Sequence, residues 1–138
     1  MKKHLILWLS VLGLLAILFT SCNLAGVSID ARIYQFVSDL NATDRSNIYL
    51  NFSPNCTDYL AIHASDYFDI PFPAVGVGTP YSIIVADFSN SAAVTAQLNG
   101  PDTFNPPLTI ACQMEKVDKD WQIRVLDLEL YAGNPVVQ

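Results

Sequence analysis

The stretch LTIACQMEKVDKDWQIRVLDLEL, residues 108–130, contains the pattern that decides the fold. Apolar residues alternate with polar ones across residues 108–115, which is typical of a strand with one buried face. The polar run at 118–120 predicts a hairpin turn, and Trp121 then opens a second alternating segment. We therefore predict two antiparallel strands joined by a tight turn.

The second of these strands carries a change of phase. Its apolar residues alternate through Ile123 and Val125 and then slip by one position to Leu126, Leu128 and Leu130. A slip of one residue within a strand is what a β-bulge produces, and bulges bend sheets. We expect this last strand to be long and curved.

Two more strand-like segments precede the hairpin, after a break rich in proline and glycine at residues 71–80. Residues 81–88 contain three consecutive β-branched residues, and Val94, Ala96 and Leu98 then alternate with polar residues. The back half of the chain therefore predicts about four antiparallel strands.

The front of the chain is helical. Apolar residues recur at spacings of three and four over residues 29–41, which is one face of a helix. Thr43 or Asp44 can cap a second, shorter helix that stops before Pro54, and residues 59–62 and 66–69 are predicted as single turns. Two N-terminal helices packed on a curved antiparallel sheet make an α+β fold.

The order of several strings resembles the nuclear-transport-factor-2-like superfamily, the cystatin-like cones. The strings are FVSDLN at 36–41, NIYLNF at 47–52, YFD at 67–69, FP at 72–73 and WQIR at 121–124. The resemblance covers most of residues 28–131 and implies a cone-shaped domain with a pocket at its open end, often as a homodimer. The superfamily includes isomerases, dehydratases and non-catalytic pocket proteins, so this fold does not select a function.

The first 22 residues have the order of a secretion signal. A basic start is followed by an apolar run at 5–19, shorter than the roughly 20 residues of a spanning helix, and small polar residues lead to Cys22. This order resembles the lipobox of bacterial lipoproteins. The resemblance implies that residues 1–21 are removed and that Cys22 carries lipid such as palmitate, with residues 22–27 as a short tether. Cleavage by ordinary signal peptidase, without acylation, is the alternative.

The lipobox resemblance also implies a cellular localisation. In Gram-negative bacteria an aspartate after the lipidated cysteine favours the inner membrane, and this chain has Asn23 there. The resemblance therefore implies the cell envelope, at the outer membrane facing the periplasm, with the membrane as a partner through Cys22. The remainder is interpreted as one α+β domain at 28–131 and a C-terminal tail at 132–138.

The chain has three cysteines. If Cys22 carries lipid, Cys56 and Cys112 can form a disulfide in an oxidising compartment. That bond would close a loop of about 55 residues, to which the chain-entropy model assigns on the order of 4 kcal/mol. The alternative is two buried free thiols, because Cys112 falls on the apolar phase of its strand.

The chain is acidic, with 13 Asp and Glu against 7 Lys and Arg. A nucleic-acid binder shows a basic stripe, whereas the basic residues here are few and scattered. We therefore predict no nucleic-acid partner. His63, Cys56 and Cys112 have no close pairing and match no zinc spacing, and the sequence has no glycine-rich phosphate cradle. We predict no metal and no cofactor.

His63 and Asp87 are the weak catalytic candidates. His63 lies close in sequence to tyrosines and carboxylates that could form an acid/base group. Asp87 lies on a predicted strand, where it could face inward as a general base. The simpler interpretation is a solvated loop around His63 and a backbone cap at Asp87, so we assign no catalytic residue.

Most of the aromatic residues are predicted to fill the core. Tyr49, Tyr59, Tyr67 and Trp121 are the candidates for the wall of a ligand pocket. The sequence thus favours a lipid-anchored, non-catalytic domain that binds a small apolar ligand, a peptide or an envelope protein. The alternative is a small acid/base enzyme, of isomerase or dehydratase type, that uses the cone pocket.

Overall fold

The structure is a computed structural model that describes residues 25–64, 66–69, 72–75, 79–100 and 107–127. The predictions for the signal segment at 1–21, for Cys22, for Leu128 and Leu130, and for the tail at 132–138 fall outside these residues.

The described chain forms few helices and one sheet. The helices are α1 (Ile29–Leu40), a 3-10 helix (Ile48–Asn51) and α2 (Tyr59–Ile62), and the strands are β1 (Ser82–Asp87), β2 (Val94–Asn99), β3 (Leu108–Val117) and β4 (Asp120–Asp127). All neighbouring strands are antiparallel, in the order β1-β2-β3-β4. The α+β class and the four-stranded antiparallel sheet are confirmed.

Helix α1 has the apolar face that its spacing predicts. Ile33, Phe36, Val37 and Leu40 are all buried. The helix contacts the 3-10 helix and both edge strands, β1 and β4. It therefore lies across the sheet and covers one of its faces.

The second predicted helix is reduced to the single turn of the 3-10 helix. The chain becomes extended at Phe52, which forms a parallel bridge with Ile123 of β4. Ser53 continues this pairing, because its N–H donates to the carbonyl of Ile123 at 2.8 Å. Pairing with the edge of β4 thus ends the helix before Pro54 is reached.

Strands β3 and β4 form the predicted hairpin. Its turn consists of Asp118 and Lys119, and Val117 pairs with Asp120 across the base of the turn. Asp118 has a φ of 55°, in the left-handed region that aspartate tolerates better than most residues.

A bulge in β4 accounts for the change of phase. Gln113 pairs with Val125 and Met114 pairs with Ile123, which leaves Arg124 as the extra residue. The bulge allows Ile123 and Leu126, three positions apart, to be buried together. The predicted slip is therefore confirmed as a bulge. A second bulge, in β1, comes from a register shift between Ile83 and Val85 that the sequence did not predict.

Phenylalanine rings fill the interior beside α1. Phe36, Phe52, Phe68 and Phe72 are fully buried. The ring of Phe36 lies edge-on to the other three, with centroid distances of 5.6, 5.8 and 5.9 Å. This is a favourable geometry for aromatic pairs, and it joins the loops after α1 to the core beneath the helix.

Candidate functional site

A short N-terminal strap, Gly26–Val27, is fixed to the β3–β4 hairpin. The N–H of Val27 donates to Asp120 Oδ1, and the N–H of Trp121 donates to the Val27 carbonyl, both at 2.9 Å. A Cβ at Gly26 would lie 1.8 Å from the carbonyl oxygen of Lys119. The strap therefore requires glycine at this position.

A groove of about 530 Å³ lies between the strap, α1 and the 3-10 helix. It is lined by Val27, Ala31, Arg32, Gln35, Asp39, Asn47, Leu50 and Asn51. Arg32 is buried, with Nε donating to the Trp121 carbonyl at 2.9 Å and Nη1 to the Leu50 carbonyl at 3.1 Å. Burial lowers the pKa of Arg32, while the charges of Asp120 and Asp39 act in the opposite direction. Arg32 thus ties three elements together.

The other polar groups of the groove largely bind one another. The amide of Asn51 donates to Asp39 Oδ2 at 2.7 Å and to the Ile48 carbonyl at 3.0 Å. Gln35 donates to Asp39 Oδ1 at 2.8 Å. These bonds stabilise the contact between α1 and the 3-10 helix. Sequence reasoning missed Arg32, although its spacing of four from Phe36 places it on the apolar face of α1.

His63 lies in a surface cluster of rings. It stacks on Tyr49, with centroids 4.0 Å apart and planes inclined by 26°, and it meets Tyr59 edge-on at 4.8 Å. The two tyrosine rings are 6.4 Å apart. The tyrosines are half-buried and His63 is exposed. Tyr49 and Tyr59, two of the four predicted pocket-wall residues, therefore lie together at the surface, in contact with the catalytic candidate His63.

The other two predicted pocket-wall residues have different surroundings. Tyr67 packs edge-on against Phe68 at 5.0 Å, and burial, together with the charge and hydrogen bond of Asp58, raises the pKa of Tyr67 to about 12. Its hydroxyl therefore stays protonated at neutral pH. Trp121 is half-buried near the start of β4, where its backbone binds Val27 and Arg32.

Asp87 is exposed at the end of β1 and does not face inward. Its carboxylate accepts hydrogen bonds from the N–H of Ser89 at 2.9 Å and from the Ser89 hydroxyl at 2.6 Å. These bonds lower the pKa of Asp87. The backbone cap that the simpler interpretation predicts is confirmed. Asp39 is half-buried on α1 and accepts a hydrogen bond from Asn51.

Cys56 and Cys112 are both buried and both free thiols, so the predicted disulfide is not formed in this structure. Burial raises the pKa of Cys112 to about 12. Burial also raises the pKa of Cys56, to which the charges of Asp58 and Glu115 add.

Among the described residues, four of the five exposed large apolar side chains lie in two places, and the fifth, Tyr34 on α1, packs against Phe88. Leu50 and Leu60, 51% and 86% exposed, each follow a tyrosine of the ring cluster. We call Tyr49, Leu50, Tyr59, Leu60 and His63 the leucine–ring patch. The second place is the β1 edge, where Ile84 and Val85 are more than half exposed.

The described ranges contain no group of three or more His, Cys, Asp or Glu side chains placed to hold a metal ion. Among the helices of those same ranges, none has the length and apolar character needed to cross a bilayer. No protein-family model, no curated protein and no solved structure matches the chain.

Proposed function

We propose that this chain is a lipid-anchored protein of the bacterial cell envelope and that its α+β domain is a non-catalytic binding or interaction module. The observation that carries the proposal is the basic, apolar and small-residue order that ends at Cys22. The strap lies close to this cysteine in the sequence, and its residues Gly26 and Val27 are fixed to the β3–β4 hairpin. Gly26 is four residue steps from Cys22, which span at most about 14 Å.

The cone-shaped architecture and the cellular localisation belong to the same proposal. We expect α1 and the sheet to form a cone of the cystatin-like type, facing the periplasm from the outer membrane, with a homodimer as its assembly. Two features support the cone: both edge strands contain a register shift of the kind that bends sheets, and α1 contacts both of them.

An acid/base enzyme is the alternative function. It needs at least two ionisable groups directed into one cavity. The two candidates instead have unrelated neighbours, since His63 packs on tyrosine rings and Asp87 binds Ser89 at an exposed strand end. We therefore favour the non-catalytic function.

Labelling with a palmitate analogue in a bacterial host, followed by intact-mass measurement, tests the anchor. The mature wild-type protein should carry the label, begin at Cys22 and exceed its polypeptide mass by several hundred daltons. Cys22→Ser should lose the label and accumulate as the precursor, whereas the control Cys56→Ser should keep it. A wild-type product that begins elsewhere and carries no lipid would overturn the proposal.

Native mass spectrometry of the protein in mild detergent tests the binding module. We expect a ligand or an envelope protein to be released from material that was isolated directly from membranes. If that material carries nothing, and pull-downs from the same membranes recover nothing, the binding part of the proposal is wrong.

A further inference from the structure

The leucine–ring patch exposes apolar surface where two short elements meet. Leu60 is 86% exposed although it is held in α2, whose Ile62 is buried in the core. Leu50 is 51% exposed on the 3-10 helix, which contacts α2. Single exposed leucines are ordinary, but each of these two directly follows a tyrosine of a cluster in which Tyr49, Tyr59 and His63 pack on one another across the two elements.

Leu50 places one part of the patch beside the strap. Leu50 and Val27 line one groove, and Arg32 binds both the Leu50 carbonyl and the carbonyl of Trp121. Trp121 in turn binds Val27. A lipid on Cys22 would lie within about 14 Å of Gly26, whose neighbour Val27 shares a groove with Leu50.

We propose that the leucine–ring patch rests on the bilayer that holds the lipid anchor, as a second membrane contact. The inference depends on the proposed function, since it requires an acylated Cys22. Leu50 and Leu60 enter the boundary between headgroups and acyl chains, and the tyrosine rings lie at headgroup level, where amphipathic aromatic side chains are stable. The occupant is a lipid surface because the chain between the anchor and the domain is too short to move the patch far from it.

The charges near the patch favour a zwitterionic surface. Asp58 and Asp66 flank α2 in the sequence, and the protein is acidic overall. Anionic headgroups would repel these carboxylates within a Debye length. A weak apolar contact is sufficient to keep the patch on the bilayer, because the lipid anchor already holds the domain at a high effective concentration there.

The β1 edge provides a matched control. Ile84 is 54% exposed, similar to Leu50, and it lies on the edge of the sheet opposite β4, to which the strap is bound. Three strand spacings separate these edges, a distance of about 14 Å. A tryptophan that replaces Ile84 is therefore also an exposed indole, but it lies away from the proposed membrane contact.

The experiment uses the acylated full-length product in phosphatidylcholine vesicles that contain brominated acyl chains. We expect the emission that Leu60→Trp adds to the wild-type signal to be quenched several-fold more than the emission that Ile84→Trp adds. Leu50→Asp introduced into the Leu60→Trp protein should reduce this quenching, because a carboxylate opposes insertion. Both tryptophans replace exposed side chains, so the fold should persist, and circular dichroism checks it.

The outcomes separate the two proposals. Mass measurement on the same sample reports the lipid, and an unacylated product overturns the proposed function. If the lipid is present but the two tryptophans are quenched equally, or Ile84→Trp is quenched more, the membrane contact is wrong. It is also wrong if Leu60→Asp releases a co-purifying protein while Leu60→Trp stays unquenched, because the patch would then bind protein.

Discussion

Arg45 is a charged side chain that the fold has taken into its interior. Its Nε and Nη2 donate to the carbonyl of Leu40 at 3.0 and 2.6 Å, and Nη1 donates to the carbonyl of Phe72 at 2.6 Å. It also pairs with Asp69, whose side chain is 54% exposed, so this ion pair adds little to stability. The guanidinium thus satisfies the end of α1 and fixes the loop that carries Phe72.

We expect Arg45→Lys to lower the free energy of unfolding by about 2 kcal/mol, because a lysine cannot reproduce the planar fork and leaves buried carbonyls without donors. Urea denaturation followed by circular dichroism measures the loss. Arg124→Lys makes the same chemical change at an exposed position and should stay within about 0.5 kcal/mol of wild type. Equal losses at the two positions would contradict the role given to Arg45.

At the scale of elements, prediction succeeded where periodicity is strong and long. The spacing of apolar residues located α1, and strict alternation located the β3–β4 hairpin and its bulge. It failed for β1, because the consecutive β-branched residues 83–85 define no phase and the bulge then rotates the strand, which leaves Asp87 outside. Only one contact of the ring cluster could be predicted, because His63 is near Tyr59 in the sequence. The stacking of His63 on Tyr49 joins two elements, and local sequence patterns do not encode such a contact.

A carboxylate links β3 to the segment that follows the 3-10 helix. Glu115 accepts hydrogen bonds from the hydroxyl of buried Ser53 and from the amide of Asn55, the latter at 2.9 Å. The bond from Ser53, and then that from Asn55 and the charge of Arg124, lower the pKa of Glu115 below its usual 4.5. A carboxylate whose pKa is depressed on folding stabilises the protein above the unfolded value and loses that effect as pH falls through the folded value.

Glu115→Gln should therefore destabilise the protein at neutral pH and have little effect in acid. Urea denaturation of wild type and variant at neutral pH and near pH 3 measures the difference in unfolding free energy. We expect the difference to shrink as the pH falls below 4.5 and through the lower pKa of the folded state, where the wild-type carboxyl becomes protonated and resembles the amide. A difference of the same size at both pH values would mean that the variant acts through packing.

At the scale of the whole molecule, one core joins the helix, the loops and the sheet. Cys112 lies in the middle of this core, paired with Val94 of β2 on one side and with Leu126 of β4 on the other. All three side chains are buried. The Cys112 side chain is almost fully buried in this core, so a reagent can reach its sulfur only when the core opens.

Alkylation of Cys112 should therefore report global unfolding. Burial raises the pKa of this thiol to about 12, so the reactive thiolate is scarce at neutral pH and we expect no labelling by iodoacetamide in the native protein. Labelling, located by mass spectrometry, should rise with urea in step with the loss of circular dichroism. Leu126→Ala, which costs about 2–5 kcal/mol in a packed core, should shift the labelling transition to lower urea, whereas the exposed control Leu60→Ala should leave it unchanged.

The same labelling tests the disulfide. In denaturant without reductant, Cys56 and Cys112 should both take the label, because both are free thiols in the structure. If both resist labelling until a reductant is added, the disulfide predicted from the sequence is present, and the core must rearrange to bring the two sulfurs together.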